Sequence, residues 1–270
     1  MQMRFYEGKE KALTLSYDDG QIHDIRLIEI MNKYGIKGTF NLNAGLFFKD
    51  GRGFRGEKSL EETQKIYAGH EIAVHGLTHP WTVGLPEQEM LYEAVEDRRL
   101  LEKAFGGIVR GMAYPFGCCN DTVVAAIKAA GIVYSRTTES TGGFNIPHDW
   151  LRLPATCHHN DPELTELATR FVNNDIRWGK PELFYLWGHS YEFANADNWE
   201  IIENFCALVS GKENIWYATN IEIYDYVKAF EALRFSWDKT TVYNPNALPV
   251  WFNEGGKTYK ILPGETLITE

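Results

Sequence analysis

Short runs of β-branched and aromatic apolar residues alternate with amphipathic segments along most of this chain, and that alternation restricts the fold more than any other feature. Residues 12–17 read as a strand, and 25–34 as a helix with Ile25, Ile28 and Met31 on one face. Gly35 stops that helix, and 38–42 is the next strand. Ser59 stands before Leu60-Glu61-Glu62 as a capping residue, 71–75 is a third strand, and a long helix runs from Pro86 to about residue 105. The same rhythm predicts strands over 109–113, 132–135, 183–187 and 215–218, and helices over 121–130, 162–172, 198–208 and 221–233. Only 137–160 breaks the pattern.

Repetition of this kind predicts a mostly parallel sheet, doubly wound or closed into a barrel. Seven or eight strands are counted, and polar residues recur just after them: Asp18, Asp19, Asn43, His75, Tyr114, Arg136, His189 and Asn220. Barrel enzymes collect such residues at the C-terminal ends of their strands, so a distorted (β/α)7–8 barrel over residues 1–234 is the expected architecture. From 235 to 270 the pattern changes to short β-type runs between Asn-Pro, Gly-Gly and Pro-Gly turns, which predicts a small antiparallel β appendage packed on the barrel.

Composition narrows the function. The chain carries 270 residues, 44% of them hydrophobic, enough to bury a substantial core. A formal charge of −10 argues against a phosphate-tracking surface and so against nucleic acid as a partner. No apolar run approaches the ~20 residues of a membrane span. The N-terminal residues lack the apolar core of a signal peptide, so the expected location is cytoplasmic, with a secreted chain trimmed of its leader as the alternative. Cys118, Cys119, Cys157 and Cys206 show no metal-type spacing and read as free thiols.

Two segments carry candidate chemistry. In Ser16-Tyr17-Asp18-Asp19-Gly20, adjacent carboxylates leave a buried strand, and burial with mutual repulsion disfavours them unless a cation or a shared proton neutralises the pair. Capping of the next helix is the alternative. In His75-Gly76-Leu77-Thr78-His79-Pro80, imidazoles four apart on one helical turn would point the same way and chelate one divalent ion. Two histidines and a carboxylate leave positions open for water and substrate.

These two segments resemble the first two motifs of the polysaccharide deacetylases with a NodB-type domain, carbohydrate esterase family four. Met112-Ala113-Tyr114-Pro115-Phe116-Gly117 is similar to that family's Phe-Arg-x-Pro-Tyr-Gly motif, and Leu186-Trp187-Gly188-His189 to its final Leu-x-His motif. The resemblance implies a barrel of NodB type and a metal held by Asp19, His75 and His79. The expected ion is zinc, with cobalt, nickel, manganese and iron as alternatives. It implies Asp18 as the base acting on metal-activated water and His189 as the acid for the leaving amine. The backbone N–H of Phe116 would steady the oxyanion, and Tyr114, Leu186 and Trp187 would line the substrate pocket.

Two departures from the family's pattern matter. The arginine expected in the third motif is Ala113 here, so the brace for Asp18 must come from elsewhere: Arg136 first, then Arg152, then Arg110. The family's Asp-x-x-Asp-Trp motif has no full match here, with Asp149-Trp150 as a remnant and His158 or His159 as neighbours of the site outside the metal set. Tyr191, Phe193 and Trp199 are either a sugar platform or anchors for the next helix. The leading expectation is metal-dependent removal of N-acetyl groups from an amino-sugar-containing saccharide. A hydrolase of small amides, ureides or O-acetyl esters is the second reading, and a non-catalytic carbohydrate-binding barrel the third.

Overall fold

The structure, a computed structural model, describes residues 1–174, 176 and 179–269. In chain order its strands are β1 (Gln2–Arg4), β2 (Lys11–Asp18), β3 (Gly38–Leu42), β4 (Glu71–Val74), β5 (Gly111–Ala113), β6 (Tyr134–Ser140), β7 (Leu153–Ala155), β8 (Cys157–His158), β9 (Glu182–His189), β10 (Ile215–Tyr217), β11 (Arg234–Phe235), β12 (Thr241–Tyr243), β13 (Val250–Glu254), β14 (Lys257–Ile261) and β15 (Thr266–Ile268). The helices are α1 (Asp24–Lys33), α2 (Ala44–Phe47), α3 (Leu60–Ile66), α4 (Glu87–Phe105), α5 (Asp121–Ala129), α6 (Leu164–Asn173), α7 (Ser190–Ala196), α8 (Glu200–Val209) and α9 (Asn220–Glu231).

Strands β2 to β6 and β9 lie parallel in the order β7-β6-β5-β4-β3-β2-β9-β8. The two ends of that row, β7 and β8, are separated in the chain by Thr156 alone, so the row closes on itself as a distorted barrel. Thr156 straddles the seam: its N–H donates to the Tyr185 carbonyl at 2.8 Å, and its carbonyl accepts from the Gly142 N–H at 2.9 Å. The irregular stretch 137–160 is therefore the piece that closes the wall. Its strands β7 and β8 are too short, at three and two residues, to show in the hydrophobic pattern. β10 pairs with Lys11–Leu13 at the start of β2, while β3 pairs with the same strand only from Leu15 onward.

Alternation along β2 separates two cores, because successive side chains of a strand face opposite ways. Leu13, Leu15 and Tyr17 point out into the layer of helices, with Leu27, Met31, Phe40 and Leu186. Ala12 points inward with Tyr134, Leu153, Tyr185 and Trp187. Inward polar residues are paired: Thr14 Oγ1 donates to Asn220 Oδ1 at 2.7 Å, and Asn41 Nδ2 donates to Ser16 Oγ at 2.8 Å.

The start of α9 seals the barrel at the N-terminal end of its strands. Glu71 accepts there from Thr39 Oγ1 at 2.9 Å, Tyr134 Oη at 2.7 Å and the Ile221 N–H at 2.9 Å. Asn220 belongs to this seal, donating to Tyr185 Oη at 2.7 Å. It therefore lies at the opposite end from the polar constellation in which the sequence pattern placed it. The physical reason is that β10 stops at the base of the barrel instead of running through to its mouth.

The strands outside the barrel form two three-stranded antiparallel sheets, β1-β13-β14 and β11-β12-β15. The sequence-based boundary at 234/235 puts β1 with the barrel, whereas β1 pairs with β13. Val242, Val250, Phe252 and Ile261 bury themselves against Ala229 and Leu233 around the end of α9. Among the described residues, no helix is long and apolar enough to cross a membrane.

Glu71 supplies a test of this seal. Burial, opposed by its hydrogen bonds, raises its pKa from 4.5 to about 7. The folded state then keeps a proton that the unfolded chain releases, so this residue's contribution to stability is lost as pH rises from about 4.5 to about 7. We expect the melting temperature of Glu71→Gln, relative to wild type, to rise across that window. A difference that stays constant with pH would show that Glu71 is ionised in the fold.

Candidate active site

At the mouth of the barrel β2 ends at Asp18, which stays inside the wall, and Asp19 turns over the rim. Asp19 has φ 77 and Gly20 φ 60, and the Asp19 N–H donates to the Asn41 carbonyl at 3.0 Å. His79 (φ 55) and Phe116 (φ 58) are also left-handed, a conformation that costs energy for residues with a Cβ. Three strained residues meet around one site.

His75 and His79 come together through a turn. The expected helical turn is absent: Gly76 (φ 76) and the left-handed His79 fold the segment back on itself. Glu93 of α4 fixes the turn by accepting from the Thr78 N–H and Oγ1, both at 2.8 Å. Asp97 of α4 accepts from the N–H groups of Ala44 (2.6 Å) and His75 (3.0 Å), and Asn43 Nδ2 donates to the carbonyls of His75 (2.5 Å) and Gly76 (2.9 Å). Both loops are thus held by buried side chains, and Asn43 acts as a brace beneath the site.

Asp19 Oδ1 lies 3.6 Å from His75 Nε2 and 3.7 Å from His79 Nε2. These separations are too long for hydrogen bonds. Ligand atoms around one ion, each about 2.1 Å from it, stand roughly 3.0–3.5 Å apart, so the three residues fit a divalent cation. The tautomer fits as well: the Ala113 carbonyl, 2.8 Å from His75 Nδ1, accepts a hydrogen bond from Nδ1–H, which leaves Nε2 with a free lone pair. Burial pushes the His75 pKa down, against the pull of Asp18 and Asp19, which favours the neutral ligand form.

Asp18 is buried and fully engaged. Oδ1 accepts from Asn41 Nδ2 at 2.8 Å, and Oδ2 forms an ion pair with Arg136. His75 Nε2 and His189 Nε2 lie 3.8 and 3.9 Å from Oδ2. Burial pushes the Asp18 pKa up, but Arg136 and the two histidines together hold it below the ordinary carboxylate value. Arg136 is itself clamped, donating to the Thr137 carbonyl at 3.0 Å and lying 4.2 Å from the Trp187 ring. The other two arginines are engaged elsewhere: Arg110 with Asp225, and Arg152 with Asp149 and Asp121.

His189 ends β9 on the other side of Asp18. Its Nδ1 is 3.1 Å from Glu192 Oε1, while Glu192 Oε2 lies 2.7 Å from His159 Nε2 and 3.2 Å from His158 Nε2. Asn160 Nδ2 donates to the same oxygen at 3.1 Å. Burial pushes the His189 pKa down, but its hydrogen bond to Glu192 and the charges of Asp18 and Asp19 carry it above its usual value. The three imidazoles hold the Glu192 carboxyl far below its usual range against the effect of burial. Burial brings His159 down to about 4.

Other expected site residues separate here. Trp187 faces inward beside His189, with ring centroids 5.8 Å apart. Leu186 does not line the pocket: as the neighbouring residue on the same strand it points into the outer helical layer. Tyr114 also points outward, its hydroxyl donating to the Leu151 carbonyl at 2.7 Å. Phe116 stands at the rim, 4.5 Å from His79 between ring centroids. Phe193 and Trp199 are buried, with ring centroids 5.3 Å apart and planes inclined by 36°, so they anchor helices and offer no sugar platform, whereas Tyr191 lies 5.1 Å from His189.

Glu192, Asn41 and Asp97 escaped the sequence reading. Glu192 carried a usable signal, three residues beyond His189 on a helix start, where side chains meet. Asn41 is opposite Asp18 in the parallel register, and Asp97 reaches the site only through tertiary packing.

Residues 6–135 match the family model described as Polysaccharide deacetylase. A Bacillus subtilis (strain 168) protein, YxkH, assigned to the polysaccharide deacetylases, is 27% identical over 134 residues, 48% of this chain. That match spans 46% of the length of the curated relative. A Mycobacterium smegmatis protein assigned to the same group shares the fold with a TM-score of 0.61 at 17% identity, over 86% of this chain and 95% of that one. The Xyl-CE4 domain of a multidomain xylanase from the hindgut metagenome of Trinervitermes trinervoides gives 0.56 at 18% identity, over 82% and 92%. By its matched segment and its shared fold, the chain is similar to the polysaccharide deacetylases of NodB type.

Proposed function

We propose that this protein removes N-acetyl groups from an amino-sugar-containing saccharide, with one divalent cation, zinc for preference, held by Asp19, His75 and His79. The observation that supports this reading best is the pair of groups flanking those ligands. An ionised carboxylate, Asp18, and an imidazole with a raised pKa, His189, both face the same small volume. Two titratable groups pushed apart in pKa at one site are what acid–base hydrolysis needs. The cation, when bound, supplies Lewis acidity toward water and the acetyl carbonyl.

The chain's own residues do the rest. Asp18 takes a proton from the attacking water, and Arg136 and Asn41 hold its two oxygens so that it remains both ionised and aimed. The Phe116 N–H donates to the carbonyl oxygen as charge develops there. His189 Nε2 then gives its proton to the sugar nitrogen, so the C–N bond breaks to acetate and a free amine. Trp187 walls the site on the side of His189.

Two outcomes test the reading. Acetate release from N-acetylated chitooligosaccharides should require added divalent metal and stop with a chelator. Asp18→Asn should lower turnover by about 10²–10⁴-fold while metal binding, read by calorimetry, persists. Metal binding with no acetate released from any saccharide would refute the saccharide assignment and leave small amides, ureides or O-acetyl esters as substrates.

The second outcome concerns pH. His189 works protonated, so activity falls at high pH as it loses its proton. Glu192→Gln removes the group whose hydrogen bond raises the His189 pKa, so the alkaline limb of the kcat profile should move to lower pH. An unmoved limb would show that another group sets it.

A further inference from the structure

Beside the proposed metal ligands the rim carries two large rings that the mechanism leaves unused. Phe116 is 52% and Trp81 55% exposed, with centroids 5.0 Å apart and planes inclined by 40°. They continue outward from His79, whose ring lies 4.5 Å from Phe116. Burying such rings is strongly favourable, so two adjacent ones left in water mark a surface that something covers.

The pair is built rigidly. Thr82, next to Trp81, is buried, and its hydroxyl donates to the Cys118 carbonyl, joining the Trp81 turn to the Phe116 turn. The Trp81 carbonyl accepts from the Gly84 N–H at 3.2 Å. On the other side Pro115 is buried and Phe116 keeps its left-handed conformation. A Cβ on Gly117 would come within 2.6 Å of the Thr138 backbone nitrogen, so that turn sits tightly on β6. Rings fixed before a ligand arrives lose little freedom on binding.

We infer that the Trp81–Phe116 ledge is a saccharide subsite, where the pyranose ring next to the acetylated sugar lies with its apolar C–H face on the aromatic rings. This rests on the function proposed above. The occupant follows from position and charge. Phe116 offers its backbone N–H to the reacting group and its ring to the ledge, so a ligand on the ring is a direct neighbour of the reacting sugar. A chain of charge −10 does not attract an anionic lipid or nucleic acid, whereas a neutral sugar face needs only apolar area and closely fitting rings. The protein therefore prefers substrates of at least two linked sugars.

The test compares kcat/KM for N-acetylated chitotetraose with that for N-acetylglucosamine, together with calorimetric binding of the tetrasaccharide. In Trp81→Ala the ratio should fall about tenfold or more, through a higher KM for the tetrasaccharide, and Trp81→Phe should restore part of it. Circular-dichroism melts check that the fold of each variant persists. An unchanged ratio, or an equal loss on both substrates, overturns the subsite while acetate release by the wild type leaves the deacetylase reading standing. Tetrasaccharide binding that depends on Trp81 without acetate release supports the subsite and refutes the deacetylase reading. Absence of both binding and release overturns the two together.

Discussion

A carboxylate taken out of water is stable only where opposite charge and hydrogen-bond donors replace its hydration, and Asp18 is the place where this barrel meets that requirement. Asn41 comes from the neighbouring strand, Arg136 from the far side of the wall, and His75 and His189 from two further strand ends. Each neighbour is held in turn, His75 by Ala113 and Asp97, Arg136 by Thr137 and Trp187, His189 by Glu192. The site is the outcome of that chain of obligations. Remove the buried charge and most of the polar residues at the mouth lose their reason to be where they are.

Backbone strain is placed with the same economy. Asp19, His79 and Phe116 are left-handed, while Asp97, Asn43 and Glu93 hold the β3 and β4 loops from behind through hydrogen bonds. Rigid support allows unfavourable torsions to persist where they aim a ligand, and support of this kind lies one layer beneath the groups it serves.

The β/α alternation was legible because buried strands and amphipathic helices have distinct periods. The candidate metal set was legible from motif spacing, but the reason offered for the histidine pair was not: a turn with two left-handed residues brings them together, with no helix. Inward and outward facing decided the remaining errors. Leu186 and Tyr114 stand next to residues that face the barrel interior, and on a strand the next residue faces away. Asn220 followed a strand, but that strand never reaches the mouth. The closing strands β7 and β8 were opaque because their pairing partners, β6 and β9, lie on either side of them in space, and a local pattern does not register a residue that bridges them. Arg136 stood out as a polar strand end, whereas Glu192 was passed over because a helix-start glutamate is so common.

Closure through Thr156 has one more consequence. The run that completes the wall also carries His158 and His159, which surround Glu192 and, through it, His189. Asp19, His75 and His79 come instead from loops on the β2–β4 side. The surroundings of His189 are therefore complete only when the last stave is seated between strands distant in sequence, a late event for a chain built from local contacts. A partly folded molecule can bring Asp19, His75 and His79 together without the partners of His189. Closing the wall and completing the surroundings of His189 are a single act of assembly.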